Sequence, residues 1–179
     1  MGMVVVKVGG SLFLRPGLAA WLRGYLARLA PEVPLVVPGG GLMADAVRAY
    51  ARAHSLGDEE PHWLALRACE VNAWFLAGQL RMPVVAGPLD APGVLAPHQF
   101  AMADEGKIGC LPHSWDATSD SVAARVAEVA GARLVLVKAV PRPPQATWEE
   151  AARAGLVDPV LPTIIARARL DVEVVAYPG

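Results

Sequence analysis

Val4-Val5-Val6-Lys7-Val8-Gly9-Gly10-Ser11-Leu12 is an apolar strand that carries one lysine and runs straight into a two-glycine turn. A strand without polar alternation is covered on both faces, as in a parallel sheet flanked by helices. Its glycines let the backbone come close to a bound group, and successive exposed amides beside a lysine charge form an anion cradle. Lys7 itself must reach a solvated mouth or meet an anion, because an unpaired buried ammonium is very costly. A second apolar run ends the same way, in Leu35-Val36-Val37-Pro38-Gly39-Gly40-Gly41. Two strand ends presenting amides to one ligand make a nucleotide the first expectation.

Outward from these turns, further valine- and leucine-rich strands are predicted at Pro83 to Ala86, Ile108 to Leu111, Leu134 to Val137 and Val172 to Ala176. Helical patterns lie at Pro16 to Leu29, Leu42 to His54, Pro61 to Leu80, Ser119 to Ala130 and about Asp158 to Ala168. The alternation of strand and helix favours a mostly parallel sheet between helical layers, a three-layer α/β/α sandwich. Asp90 to Glu105 and the proline-rich Pro141-Arg142-Pro143-Pro144 read as loops. Ligand groups should gather at the carboxyl ends of the strands.

At 179 residues the chain is expected to form a single domain. A net charge of −1 lacks the basic excess of a nucleic-acid surface. Cys69 and Cys110 match no metal spacing and make no disulfide framework, so no metal-ligand set is assigned and a reducing cytoplasm is expected. No uncharged apolar run approaches the ~20 residues of a membrane span, and no signal-peptide pattern opens the chain, which favours a soluble, unprocessed protein with no membrane partner.

Neither glycine turn fits a P-loop or a Gly-x-Gly-x-x-Gly dinucleotide turn. Gly39-Gly40-Gly41 leads into a helix and places backbone donors at its N-terminus, where an anion is favoured. The segment Leu111-Pro112-His113-Ser114-Trp115-Asp116-Ala117-Thr118-Ser119-Asp120-Ser121, dense in polar groups, leads into another helix. Thr118, Ser119 and Asp120 are all good N-terminal helix residues, and capping is the first reading for Ser119. Asp120 differs, because a carboxylate beside a cationic cradle can hold a lysine network or a magnesium-bound nucleotide. His62 follows the acidic Asp58-Glu59-Glu60 turn, where a solvated or capping role competes with ligand binding; His113 and His98 rank below it. Trp115 reads either as a core aromatic or as a lid over a substrate.

Lys7-Val8-Gly9-Gly10-Ser11, Gly39-Gly40-Gly41 and Thr118-Ser119-Asp120-Ser121-Val122-Ala123-Ala124, in that order, resemble the amino acid kinase family over nearly the whole chain. Within it the chain looks most like the short branch containing (5-(aminomethyl)furan-3-yl)methyl phosphate kinase, on His62-Trp63-Leu64-Ala65, Leu111-Pro112-His113-Ser114-Trp115-Asp116 and Val157-Asp158-Pro159-Val160-Leu161-Pro162. The resemblance implies an ATP- and Mg2+-dependent kinase whose γ-phosphoryl acceptor is a small phosphate or carboxylate, most specifically the aminomethylfuran-methyl phosphate. Lys7 and Asp120 would be catalytic. Gly9, Gly10, Ser11, Ser119 and Lys138 would hold the nucleotide, and Gly39, Gly40, Gly41, His62 and Asp116 the acceptor.

Family habit implies a homo-oligomer. Two departures stand out: Ala139-Val140-Pro141-Arg142 replaces an Asp-Val-Asp-Gly-like segment, and Leu161-Pro162-Thr163-Ile164-Ile165 holds no second phosphate-binding lysine. Arg142 and Arg167 are the candidates to replace that lysine. The alternative from another functional class is a kinase-like fold that binds nucleotide or a partner chain without turnover.

Overall fold

The valine run that opens the chain becomes β1 (Met3–Val8), with Val4, Val5, Val6 and Val8 fully buried. Burying each such side chain contributes on the order of 2 kcal/mol, which is why the strand sits mid-sheet. The structure is a computed structural model describing residues 2–179. Parallel to β1 run β2 (Val33–Pro38) on one side and β5 (Arg133–Lys138) on the other. Beyond β2 lie β4 (Gly93–Leu95) and then β3 (Val84–Val85), and beyond β5 lies β6 (Val172–Ala176). The order β3-β4-β2-β1-β5-β6 is parallel throughout, where the sequence predicted a mostly parallel sheet.

Strand pleating divides the core. Val4, Val6 and Val8 pack with Val36, Val135 and Val137 against α1 (Leu18–Arg28) and α3 (Glu59–Leu80). Val5, Leu35, Leu134 and Leu136 face α5 (Ser119–Ala130) and α7 (Leu161–Ala168). The sheet is thus sandwiched between helical layers, and period-two alternation puts Lys7 on the side of α5. Three further helices complete the chain: α2 (Gly41–Ala53), α4 (Pro97–Asp104) and α6 (Trp148–Arg153). No helix among the described residues is long and apolar enough to cross a membrane.

Three sequence expectations need correction. Ile108 to Leu111 is not a strand: it lies in turns and coil, with Ile108 fully exposed. The strand that takes its place, β4, and the helix α4 both fall within Asp90 to Glu105, the segment read as loop. The helix predicted from about Asp158 begins at Leu161, because the Asp158 carboxylate is used to accept the Leu161 amide hydrogen at 2.9 Å. Beyond the proline-rich loop, the sequence reading missed α6, which opens on a reciprocal capping box between Thr147 and Glu150.

Candidate active site

The sheet order sets the carboxyl ends of β2, β1 and β5 side by side, so Gly39, Gly9 and Lys138 converge although far apart in sequence. Gly9 N–H donates to Val137 O at 2.9 Å and Gly39 N–H to Val8 O at 2.9 Å, extending the sheet into both glycine turns. The turns then pack backbone to backbone. A Cβ on Gly10 would stand 2.2 Å from Gly41 N, and Gly41 itself adopts φ +48. From behind, the buried Asn72 of α3 donates through Nδ2 to Gly39 O at 2.7 Å and Gly40 O at 2.9 Å.

Beside the first turn is a buried charge cluster. Asp120, in the first turn of α5, is ion-paired through Oδ1 with Lys7 Nζ at 2.7 Å and accepts a hydrogen bond on Oδ2 from Lys138 Nζ at 2.7 Å. Lys138 also donates to Leu156 O at 2.7 Å. Burial alone pushes the Asp120 carboxyl up, but the two ammonium groups reverse this and hold it below the ordinary carboxylate range. Burial, reinforced by the Lys7 charge, lowers Lys138 to about 8 despite Asp120.

Asp158 fixes where Asp120 stands. Its carboxylate accepts from Thr118 N, Thr118 Oγ1 and Ser121 N at 2.9 Å, from Ser121 Oγ, and from Leu161 N. One buried acid therefore caps the start of α5 and the start of α7 together, satisfying amides that neither helix can satisfy internally. Asp158→Ala is expected to lower stability by about 3–5 kcal/mol, since it strands several buried donors at once. Thr118→Val should cost only about 1 kcal/mol. Urea denaturation of the two variants checks the contrast.

Two cavities flank Gly10 and Ser11, which line both. The first, about 730 Å³, has Lys7, Gly9 and Lys138 on its wall and continues to Pro141 and Leu156. The second, about 520 Å³, is lined by Gly40, Gly41, Arg48, His62, Trp115 and Ser119 among others. Arg48 lies over the Trp115 ring, 4.7 Å from its centroid. His62 is buried and held neutral, lowered to about 4 by desolvation and then by the charge of His113. Burial pushes the Cys69 thiol, also on this wall, up to about 12, so it is inert.

No family model matches the chain. A curated relative, [5-(aminomethyl)furan-3-yl]methyl phosphate kinase of Methanocaldococcus jannaschii, is 26% identical over 141 residues, which take in 75% of this chain and 64% of the relative. Among solved structures, uridylate kinase from Archaeoglobus fulgidus superposes with a TM-score of 0.66 at 17% identity, covering 99% of this chain and 91% of that one. Aspartate kinase from Clostridium acetobutylicum superposes with a TM-score of 0.58 at 11% identity, over 98% of this chain and 60% of that one. In these comparisons the chain is similar to members of the amino acid kinase family. Its six-stranded parallel sheet between helices is the amino acid kinase fold.

Within that fold the residues named from the sequence distribute unevenly. Lys7, Gly9, Gly10, Ser11 and Lys138 line the lysine cavity, and Asp120 bridges its two cations. Gly40, Gly41 and His62 line the tryptophan cavity, whereas Gly39 is sealed behind Gly10 and lines neither. Ser119, read as a cap or a nucleotide ligand, lies on the tryptophan cavity, and the capping is done by Asp158. Asp116 is exposed and off that wall.

Neither proposed replacement for the second lysine lines the lysine cavity. Arg142 stacks on Trp148 and donates to Ala146 O, while Arg167 is drawn to Glu128 and Gly109 O. The sequence reading gave no role to Asn72 or Arg48, and held Asp158 only as part of a resemblance motif. Arg48 had a signal, about two turns along the helix that follows the triple glycine, but only the fold turns it toward Trp115.

Proposed function

We propose that this amino acid kinase fold is an ATP- and Mg2+-dependent kinase that transfers a γ-phosphoryl group to a small anionic acceptor, most specifically [5-(aminomethyl)furan-3-yl]methyl phosphate. The observation that carries the reading is that a cation-floored cavity and an arginine-bearing cavity share the Gly10–Ser11 wall. A donor in one and an acceptor in the other would meet across that turn, and phosphoryl transfer asks mainly for alignment and charge neutralisation. The named acceptor comes from the curated relative, of which the chain spans 64%.

The residues fit a nucleotide polyphosphate: two ammonium groups, 2.7 Å from a shared carboxylate, floor the lysine cavity. Among the described residues no group of three or more His, Cys, Asp or Glu gathers as a metal cage, so Mg2+ would be held chiefly by the nucleotide's own phosphates. Bound MgATP supplies the phosphoryl group and its neutralising metal. Lys7 and Lys138 add positive charge where negative charge shifts during transfer. Asp120 keeps both ammonium groups in place, and in the shared Gly10–Ser11 wall Gly10 contributes only backbone. On the other side Arg48 offers a planar cation to the acceptor's own phosphate.

Phosphorus NMR with MgATP and the aminomethylfuran-methyl phosphate tests this. A new diphosphate is expected, absent with Lys7→Ala and with Asp120→Asn. The second reading, a kinase-like subunit that binds nucleotide without turnover, is favoured by the off-site positions of Arg142 and Arg167, which leave Lys7 and Lys138 as the cations lining the donor side among the described residues. A melting temperature raised by MgATP with ATP left intact would select it.

A further inference from the structure

Between α4 and α5 the chain crosses residues 105–118 without helix or strand, and Ser114, Trp115 and Ala117 of this crossing line the tryptophan cavity. What holds that wall is sparse. Among the described residues, the hydrogen bonds of 111–117 are local, from Ser114 N to Pro112 O, Ala117 N to Ser114 O and Asp116 N to Ser114 Oγ, except those of the His113 ring. His113 Nδ1 lies 2.5 Å from Glu59 Oε2, at the start of α3, and Nε2 lies 3.0 Å from Glu105 Oε2, at the end of α4. Glu59 is steadied on its other oxygen by the Trp63 indole N–H at 2.8 Å.

An ionised carboxylate only accepts, so a histidine with one on each ring nitrogen must donate from both and is an imidazolium. A neutral ring would keep one partner and turn a lone pair toward the other. The groups packed nearby bring no competing charge to the ring. The His62 ring, neutral because desolvation and then His113 hold it near 4, stacks on His113 with centroids 4.5 Å apart. Asp104 of α4 is no competitor, since Arg125 of α5 binds it through Nε at 2.7 Å and Nη2 at 3.0 Å. Asp116, on the crossing itself, is exposed.

We propose that His113 is a positioning residue: as an imidazolium tied to Glu59 and Glu105, it fastens residues 111–117 as the wall of the acceptor cavity and makes acceptor binding depend on pH. The proposal rests on reading the tryptophan cavity as the acceptor site. Its sign follows from the clamp. The hydrogen bond to Glu59, opposed by partial burial and aided by Glu105, raises the histidine above its ordinary 6.5. The wall is therefore fastened at lower pH, and the contribution is lost as pH rises through the raised value. Released, Trp115 leaves Arg48 and the cavity loses one side.

Side-chain nitrogen NMR of the full chain tests the clamp without any turnover. His113 is expected to carry protons on both nitrogens below its midpoint and to titrate above 6.5. The Trp115 indole N–H signal, assigned by its absence in Trp115→Phe, should shift with the same midpoint. Glu105→Gln, a change at a half-exposed side chain that leaves the core intact, should lower both midpoints together. In kinetics, KM for the acceptor is expected to rise roughly tenfold through that midpoint with kcat little changed. His113→Gln should hold KM at the high-pH level throughout. A His113 midpoint at or below 6.5, or a Trp115 signal indifferent to it, overturns the clamp. Absent product with the NMR couplings intact would instead overturn the kinase reading and leave the clamp standing.

Discussion

Asp120→Asn is expected to retain the fold but to lose phosphoryl transfer by on the order of 10³-fold, the largest effect of any single side-chain change at this site. The substitution keeps the shape and removes the charge. Lys7 and Lys138 would then be two buried ammonium groups facing one amide, which can accept from one but turns its own N–H2 toward the other. Breaking a buried pair by removing one partner costs about 3–5 kcal/mol, because the charge left behind is uncompensated. Lys138 yields first: burial and Lys7 already lower it to about 8, and Asp120 is the main group working against them, ahead of Asp158.

The pH dependence carries the same sign. In the parent protein the unfolded chain binds more protons than the folded one between about 8 and 10.5, so Lys138 makes stability rise with pH across that window. In the variant the window extends to lower pH. Turnover with MgATP, urea denaturation against pH and lysine side-chain NMR check the three parts. A variant within tenfold of the parent's turnover would remove Asp120 from the machinery.

Lys7, the two glycine turns and Asp120 were legible because each is punctuation on a strong apolar pattern. Continuous valine runs mark strands buried on both faces, and the polar group at the end of such a run has nowhere to go except the sheet's carboxyl edge. What brings them together, the order β2-β1-β5, is a tertiary fact that no local pattern states. Short elements were illegible for the converse reason. Gly93-Val94-Leu95 is too brief for periodicity and sits between Pro92 and Pro97, while Ile108 to Leu111 looks apolar but holds a fully exposed isoleucine. Asn72 and Asp158 are ordinary by sequence. Their roles arise from partners 33 and 37 residues away, Gly39 for the one and Ser121 for the other.

Gly10→Ala is the second large effect expected, and it acts on geometry rather than charge. The added methyl would stand 2.2 Å from Gly41 N and 2.7 Å from Gly41 Cα, distances no Cβ sustains, and both opposing atoms are backbone. Neither can rotate away. Gly41 is fixed by its φ of +48, and Asn72 holds the carbonyls of Gly39 and Gly40 from the far side. The two turns must therefore part by about an ångström, and overpacking of this kind costs about 1–3 kcal/mol. Since Gly10 lines both cavities, the same displacement lengthens the path between donor and acceptor. A misplacement of that size is worth about 10²-fold in rate where catalysis rests on alignment.

The split between constants distinguishes this from the loss of Asp120. MgATP should still bind Gly10→Ala within severalfold of the parent, because Lys7, Asp120 and Lys138 are untouched, while kcat falls. Gly24→Ala, in α1 with open space around the added methyl, is the matched control and should leave kcat unchanged. Nucleotide titration by calorimetry alongside turnover decides it: equal loss in both variants, or loss of binding without loss of kcat, would mean the Gly10–Ser11 turn is not where the transferred group crosses.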